Sequence, residues 1–141
     1  MELAELVGSW SKDPSRQVGA VIADEQHRVV GLGYNGFPRG VSDFDERYNS
    51  RQTKISMVVH AELNAILNAN KPVDGCTLYC TLLPCTECAK AIIQSGIVKV
   101  RAWVPVDLET YYRYRQAFDW ETVEQMFTEA GVDIITKEWN I

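Results

Sequence analysis

The sequence predicts an α/β fold in which helices cover a mixed sheet, because short apolar strands alternate with amphipathic helices along most of the chain. The predicted order is β-β-α-β-α-β-α-β, with a short helix before the first strand. The 141 residues fit one domain with a normal core, and no repeat, low-complexity tract or linker interrupts them. We therefore expect residues 1–141 to form a single domain.

Each predicted element rests on its own local pattern. The first two strands are apolar and rich in β-branched residues, and the polar segment 24–28 between them is typical of a hairpin loop. Gly96 and Gly131 end two of the helices. The strands are predicted at 18–23, 29–34, 76–80, 98–104 and 132–135, and the helices at 2–10, 60–69, 85–95 and 120–130. The Gly-, Asp- and Arg-rich segment 35–54 predicts a long loop, and such loops are usually functional.

Composition excludes several classes of function. The formal net charge of −5 argues against binding to nucleic acid or to anionic lipid through bulk electrostatics. No apolar run reaches the roughly 18 residues that a membrane span needs. The first residues are partly acidic and lack the basic start of a signal peptide. We therefore expect a cytoplasmic protein, or one in the host cytoplasm if a virus encodes it, with reduced thiols.

The segment LPCTEC places Cys85 and Cys88 directly after Pro84. A C-x-x-C pair alone is compatible with a disulfide, a redox pair, half of a zinc site or two core cysteines. The triplet His60-Ala-Glu62 opens the preceding predicted helix, and the two cysteines open the next one. Because each helix follows a strand or an extended segment, we expect both N-termini to meet at one end of the sheet.

One imidazole and two thiolates match catalytic zinc sites, which keep a fourth position open, whereas structural sites close with four protein ligands. We therefore predict His60, Cys85 and Cys88 as zinc ligands, and Glu62 as the residue that moves protons beside an activated water. A redox pair of cysteines and a structural histidine remain the alternatives. The other two cysteines are expected to be small buried side chains.

The chain resembles the zinc-dependent deoxycytidylate (dCMP) deaminases in four stretches, which cover about half of it. H-A-E and P-C-x-x-C are shared across the deaminase superfamily, whereas GYNGFPRG is generally absent from tRNA adenosine deaminases and free-nucleoside cytidine deaminases. The four stretches are SKDPSRQVGAVI (11–22), GYNGFPRG (33–40), HAELNAILNA (60–69) and LYCTLLPCTECAKAIIQSGI (78–97).

The resemblance implies hydrolytic deamination of dCMP to dUMP, the precursor of thymidylate. It implies the cytidine-deaminase-like α/β/α sandwich, with a mixed central sheet of roughly five strands. Many members of the family are homohexamers that dCTP activates and dTTP inhibits, with Mg²⁺ accompanying the nucleotide. The resemblance therefore implies a homo-oligomer, with a hexamer as the expected state, and these two nucleotides as effectors.

The resemblance also directs attention to residues that contact nucleotides. GYNGFPRG lies near the substrate and effector sites in such enzymes, which implies Gly36, Phe37 and Arg39 as an effector or phosphate loop. Arg39 offers a rigid guanidinium suited to phosphate, although a solvated surface charge is the alternative. The remaining substrate-binding candidates are Asn35, Ala61, Arg16 and Lys12, the last two as part of a monophosphate clamp.

Departures from the family pattern limit the metal content. Some members bind a second, structural zinc through a cysteine and nearby histidines, but this chain has Asp13 near that cysteine position and no histidine between residues 42 and 59. We therefore predict one zinc per subunit. The interleaved segment 111–115 (YYRYR) is expected to form an amphipathic helix for packing and a subunit interface.

Other functions remain open at this point. A related enzyme could use dCTP, a 5-modified dCMP or adenosine in tRNA, although the net acidity argues against tRNA. A non-enzymatic alternative is a nucleotide-binding regulator with a structural zinc. The carboxylate of Glu62 argues against that alternative, because a purely structural site would not need it.

Overall fold

The computed structural model describes residues 1–139, which form five strands and seven helices. The strands are β1 (Gly19–Ala23), β2 (Val29–Tyr34), β3 (Thr77–Cys80), β4 (Lys99–Pro105) and β5 (Asp133–Trp139). The helices are α1 (Glu2–Gly8), α2 (Asp45–Asn49), α3 (Arg51–Met57), α4 (Ala61–Leu67), α5 (Thr86–Gln94), α6 (Leu108–Ala117) and α7 (Trp120–Ala130). None of these helices has the length and hydrophobicity that crossing a membrane requires.

The five strands form one mixed sheet in the order β2-β1-β3-β4-β5. Strand β1 pairs antiparallel with both β2 and β3, whereas β3, β4 and β5 run parallel. The parallel strands are joined by crossovers through α5 and through α6 and α7, as parallel pairing requires. The predicted five-stranded mixed sheet is therefore confirmed.

Helices cover both faces of the sheet because successive strand residues point to opposite sides. On one face, Ile22 and Leu78 pack in a large core with residues of α4, α5 and α7, including Ala65, Ile92 and Phe127. On the other face, Val21 packs with Ala4 and Val7 of α1. This arrangement confirms the predicted α/β/α sandwich.

The prediction of a long loop over residues 35–54 is wrong, because α2 and α3 lie partly within it. No helical hydrophobic period marks this segment, because α3 buries none of its residues. A local cap marks its start instead: the Ser50 hydroxyl accepts a hydrogen bond from the Thr53 amide at 3.4 Å. The helix expected around residues 111–115 is confirmed as α6, which the Asp107 carboxylate caps through the Thr110 amide.

Candidate active site

His60 and Cys85 are the N-cap residues of two neighbouring helices, α4 and α5. Both have extended backbone, and their carbonyls accept the first helical hydrogen bonds from Asn64 and Ala89, at 3.0 and 2.8 Å. Their side chains therefore lie where free N–H groups and the helix dipole favour negative charge. This is the meeting of two helix N-termini that the sequence predicted.

The three predicted zinc ligands converge. The Nδ1 atom of His60 lies 3.4 Å from the Cys85 sulfur and 3.5 Å from the Cys88 sulfur, and all three ligand atoms lie within 4.8 Å of one another. Tetrahedral zinc, with bonds of about 2.3 Å to sulfur and about 2.1 Å to nitrogen, would separate the nitrogen and sulfur atoms by about 3.6 Å. The donor set therefore fits zinc in both chemistry and spacing.

The pKa values of the two thiols are shifted in opposite directions. The hydrogen bond from Cys88 lowers the pKa of Cys85 to about 4, and the hydrogen bond with His60 also contributes. The same hydrogen bond raises the pKa of Cys88. The hydrogen bond between Cys85 and His60 raises the pKa of His60. Two thiolates this close repel each other unless a cation lies between them, so the pair suits a divalent metal.

Glu62 lies beside this cluster and is 4% exposed. Its Oε2 atom is 3.7 Å from the Cys88 sulfur. Burial raises the pKa of Glu62 to about 7, because a charged carboxylate is poorly solvated there. A carboxyl group that titrates near neutrality can both accept and donate a proton, which is the requirement for general acid–base catalysis.

A cavity of about 670 Å³ opens above the cluster. His60, Ala61 and Glu62 line this cavity, so the predicted contact through Ala61 lies at its wall. Apolar side chains, among them Leu82 and Leu83, line the same space. The volume suits a small nucleotide, because ligand pockets typically measure about 300–1,000 Å³.

Two of the predicted substrate contacts, Asn35 and Arg16, also line the cavity. The Asn35 side chain is occupied by the protein backbone: its Oδ1 atom accepts from the Val18 amide at 2.8 Å, and its Nδ2 atom donates to the Arg16 carbonyl at 2.9 Å. The Arg16 guanidinium lies 4.9 Å from the ring centre of Tyr114. Asn35 therefore shapes the wall, whereas Arg16 presents a cation to the cavity.

The other predicted contacts lie outside the residues that line this cavity. Lys12 forms an exposed ion pair with Asp43 at 2.9 Å. Arg39 is exposed, and its Nη2 atom lies 3.4 Å from the side-chain oxygen of Asn68. Gly36 forms an isolated bridge with residue 59, and Phe37 stacks on Tyr48 with ring centres 4.5 Å apart. The structure therefore does not bring these four residues to the cavity.

Five residues of α2 and α3 also line the cavity, and the sequence patterns mark none of them as a site residue: Tyr48, Asn49, Arg51, Lys54 and Ile55. Most of them lie in the segment that the sequence predicts to be a loop. The Ser50 cap was the available signal for α3, but nothing local indicated that the helix faces His60 and Glu62.

The model of the cytidine and deoxycytidylate deaminase zinc-binding region matches residues 1–103. The chain belongs to this deaminase family. Its match includes His60, Glu62, Cys85 and Cys88, the residues whose geometry is described above.

Two related proteins also match this chain over most of its length. A deaminase from the luxG 3′ region of Aliivibrio fischeri is 45% identical over 133 residues, which cover 94% of this chain and 87% of that protein. Human deoxycytidylate deaminase is 49% identical over 106 residues, 71% of this chain. Those residues span 60% of the human protein, so the human enzyme is longer than the matched part.

A solved structure agrees with the fold of this deaminase. The dCMP deaminase from the cyanophage S-TIM5, in complex with dCMP and dUMP, superposes with a TM-score of 0.73 at 25% identity. The superposition covers 96% of this chain and 92% of the phage chain. The fold is therefore shared over nearly the whole length of both proteins.

Proposed function

We propose that this deaminase converts dCMP to dUMP with release of ammonia and thereby supplies thymidylate synthesis. The observation that carries the proposal is the buried Glu62 beside the converging His60, Cys85 and Cys88 at the floor of a nucleotide-sized cavity. The human relative bears the name deoxycytidylate deaminase, and the phage relative was solved with dCMP and dUMP, which supports this substrate over other cytosine nucleotides.

His60, Cys85 and Cys88 would hold one zinc ion per subunit. When bound, zinc supplies a water molecule whose pKa is lowered toward neutrality. The apolar residues of the cavity, Leu82 and Leu83, limit access of bulk water to the reacting carbon. Low polarity around the site also strengthens every charge interaction within it.

Glu62 moves the protons of the reaction. Its carboxylate takes a proton from the attacking water and delivers it to the ring nitrogen next to the amine-bearing carbon. It then takes the second proton of that water and passes it to the departing amine, so that the carbon–nitrogen bond breaks and ammonia leaves. A group with a pKa of about 7 performs both transfers near neutral pH.

The 5′-phosphate would bind the cations of the cavity that have no acidic partner. Lys54 forms an ion pair with Asp13 at 3.2 Å. Arg16 and Arg51 line the cavity as well, and neither forms a salt bridge with another described residue. Arg16 is the better placed of the two, because it also contacts the ring of Tyr114. We propose Arg16 as the main phosphate contact.

The remaining expectations stay predictions. Four of the expected contact residues lie outside the substrate cavity: Gly36, Phe37, Arg39 and Lys12. Their position suits contact with an effector better than contact with dCMP. Activation by dCTP, inhibition by dTTP, Mg²⁺ with the effector and a hexameric assembly remain predictions that rest on the family resemblance. A cytoplasmic location remains a prediction that rests on the pattern of the first residues.

A substrate panel tests the proposed function. Ammonia release from dCMP, deoxycytidine, CMP, dCTP, 5-methyl-dCMP and tRNA should give the highest kcat/KM for dCMP. A similar rate on deoxycytidine would contradict the nucleotide preference. Tight dTTP binding without deamination of any cytosine compound would support the non-enzymatic alternative instead.

The variant Arg16→Gln tests the phosphate contact within the same panel. Loss of a charge-assisted hydrogen bond costs about 1.5–3 kcal/mol, so KM for dCMP should rise roughly ten- to hundredfold. The kinetics on deoxycytidine, which lacks the phosphate, should hardly change. An equal loss on both substrates would contradict the assignment.

A further inference from the structure

A largely buried ion pair joins two walls of the substrate cavity that are 41 residues apart in the chain. The Nζ atom of Lys54, on α3, lies 3.2 Å from the Oδ1 atom of Asp13. The side chains are 18% and 5% exposed, and both residues line the cavity. A pair this sheltered from water is weakly screened and costly to break from one side only.

Asp13 also organises two further residues of the wall. Its Oδ1 atom accepts hydrogen bonds from the backbone amides of Ser15 at 2.8 Å and Arg16 at 3.2 Å. Its Oδ2 atom accepts from the Asn35 side chain at 3.4 Å. One carboxylate therefore fixes the backbone of the proposed phosphate contact, orients Asn35 and receives the cation from α3.

The other contacts that hold α2 and α3 over the cavity are slight. No residue of α3 is buried, and in α2 only Tyr48 is, where it stacks on Phe37. A second ion pair lies nearby, between Lys12, next to Asp13 in the chain, and Asp43, which precedes α2. Its side chains are 71% and 41% exposed, so solvent screens it and it contributes little. The Lys54–Asp13 pair is thus the main polar anchor of α3.

We propose that Lys54 and Asp13 are positioning residues for the reaction: their ion pair holds α3 closed over the substrate. The substrate in this statement rests on the proposed function. Lys54 does not serve as the phosphate ligand, because its charge is already matched by Asp13. Misplacement of a wall by about 1 Å is enough to slow a reaction by up to about a hundredfold.

Limited digestion with an arginine-specific protease tests the closure without any assay of activity. Arg47 and Arg51 lie in α2 and at the start of α3, so cleavage after them reports opening of this segment. Lys54→Met keeps the apolar stem of the side chain and removes the charge. We expect it to accelerate cleavage at these two sites roughly tenfold. Lys54→Arg should keep the wild-type rate of cleavage after Arg47 and Arg51, with fragments cut at its new site at position 54 scored separately by mass. Asp43→Asn, which breaks only the exposed pair, should not change that rate.

Kinetics on two substrates then separate positioning from direct binding. For a positioning role, Lys54→Met should lower kcat/KM about tenfold on both dCMP and deoxycytidine, with unchanged zinc content. In an Asp13→Asn background the same substitution should have little further effect, because the pair is already broken. Asp43→Asn is again the matched control.

Three results would overturn the proposal. A loss confined to dCMP would make Lys54 a phosphate ligand, as would tighter dCMP binding by Asp13→Asn. Unchanged protease and kinetic rates in Lys54→Met would remove any positioning role. If the wild type deaminates no cytosine compound, the proposed function fails and the reaction part of this proposal fails with it, while the protease rates still decide whether the pair closes α3.

Discussion

At the scale of single residues, the proposed chemistry depends on four side chains with different environments. His60 and Cys85 lie at helix N-termini, Cys88 lies in the first turn of α5, and Glu62 is buried beside them. The sequence predicted all four because their spacing and the strand–helix alternation place them at one end of the sheet. It could not predict that Asn35 would bind backbone, because those partners lie 17 and 19 residues away.

Removing one thiol tests the metal site directly. Cys85→Ala should lose bound zinc and all deaminase activity, because two remaining ligands do not hold the ion. Cys80→Ala is the control: Cys80 is a fully buried cysteine of β3, outside the ligand cluster. Metal analysis of both purified variants checks the prediction. Equal zinc content in the two variants would contradict the assignment of Cys85.

At the scale of elements, the position of α4 is set by its close approach to β2. A Cβ atom on Gly33 would overlap the carbonyl of Ala61 and the amide of Ala65, both in α4. The Asn64 side chain also donates to the Tyr34 carbonyl at 2.8 Å. Because α4 carries Glu62 and begins at His60, its distance from the sheet also sets the geometry of the site.

The substitution Gly33→Ala should therefore destabilise the protein by about 1–3 kcal/mol, since it forces the α4 backbone away from β2. Gly36→Ala is the matched control, because a Cβ atom there meets nothing within 4 Å. Thermal unfolding of both variants measures the difference. A Gly33→Ala protein as stable as Gly36→Ala would show that α4 adjusts freely.

The β1–β2 hairpin depends on the carboxylate of Asp24. It accepts from Lys71 at 2.8 Å, from the Arg28 side chain at 2.8 Å and from the amides of Gln26 and Arg28. The hydrogen bond from Lys71, followed by that from the Arg28 amide, holds the pKa of Asp24 well below its usual range.

Because its pKa is depressed in the folded state, Asp24 stabilises the fold above the unfolded-state pKa, and this contribution is lost as pH falls through the folded-state value. Urea unfolding of wild type and Asp24→Asn should thus differ most near neutral pH and converge progressively below about pH 4. Glu25→Gln, an exposed neighbour outside the ion pairs of the described residues, controls for the loss of one negative charge. A difference that is constant with pH would contradict this role.

Element boundaries show where local sequence suffices. The strand 29–34 and the helix 120–130 were predicted with the ends that the structure has, because apolar patterns and glycine stops mark them. Helices α2 and α3 were missed, since their contacts are a ring stack and a long-range ion pair rather than an apolar stripe. The cavity residues of α2 and α3 could not be predicted for the same reason: no apolar stripe marks the helices that carry them.

At the scale of the whole molecule, the alternation of strands and helices predicted a mixed sheet, but not its order. Strand β1 lies between β2 and β3, so the hairpin partner and the first parallel strand flank it. This order places the segment after β3, which carries Cys85 and Cys88, next to the start of α4, where His60 lies. The chain as a whole is acidic, with a net charge of −5, but Arg16 and Arg51 both line one cavity. A local pair of cations in an acidic protein favours a small anionic substrate over a nucleic acid.

The turnover of dCMP by the Glu62→Gln variant tests the central claim most directly, namely that a buried carboxylate beside a zinc site moves the protons of deamination. The amide keeps the shape of Glu62 but neither accepts nor donates the proton that the reaction requires. Ammonia release should fall by about 10²–10⁴, with zinc content and thermal stability close to those of wild type. A variant that retains its zinc and near wild-type turnover would contradict the account.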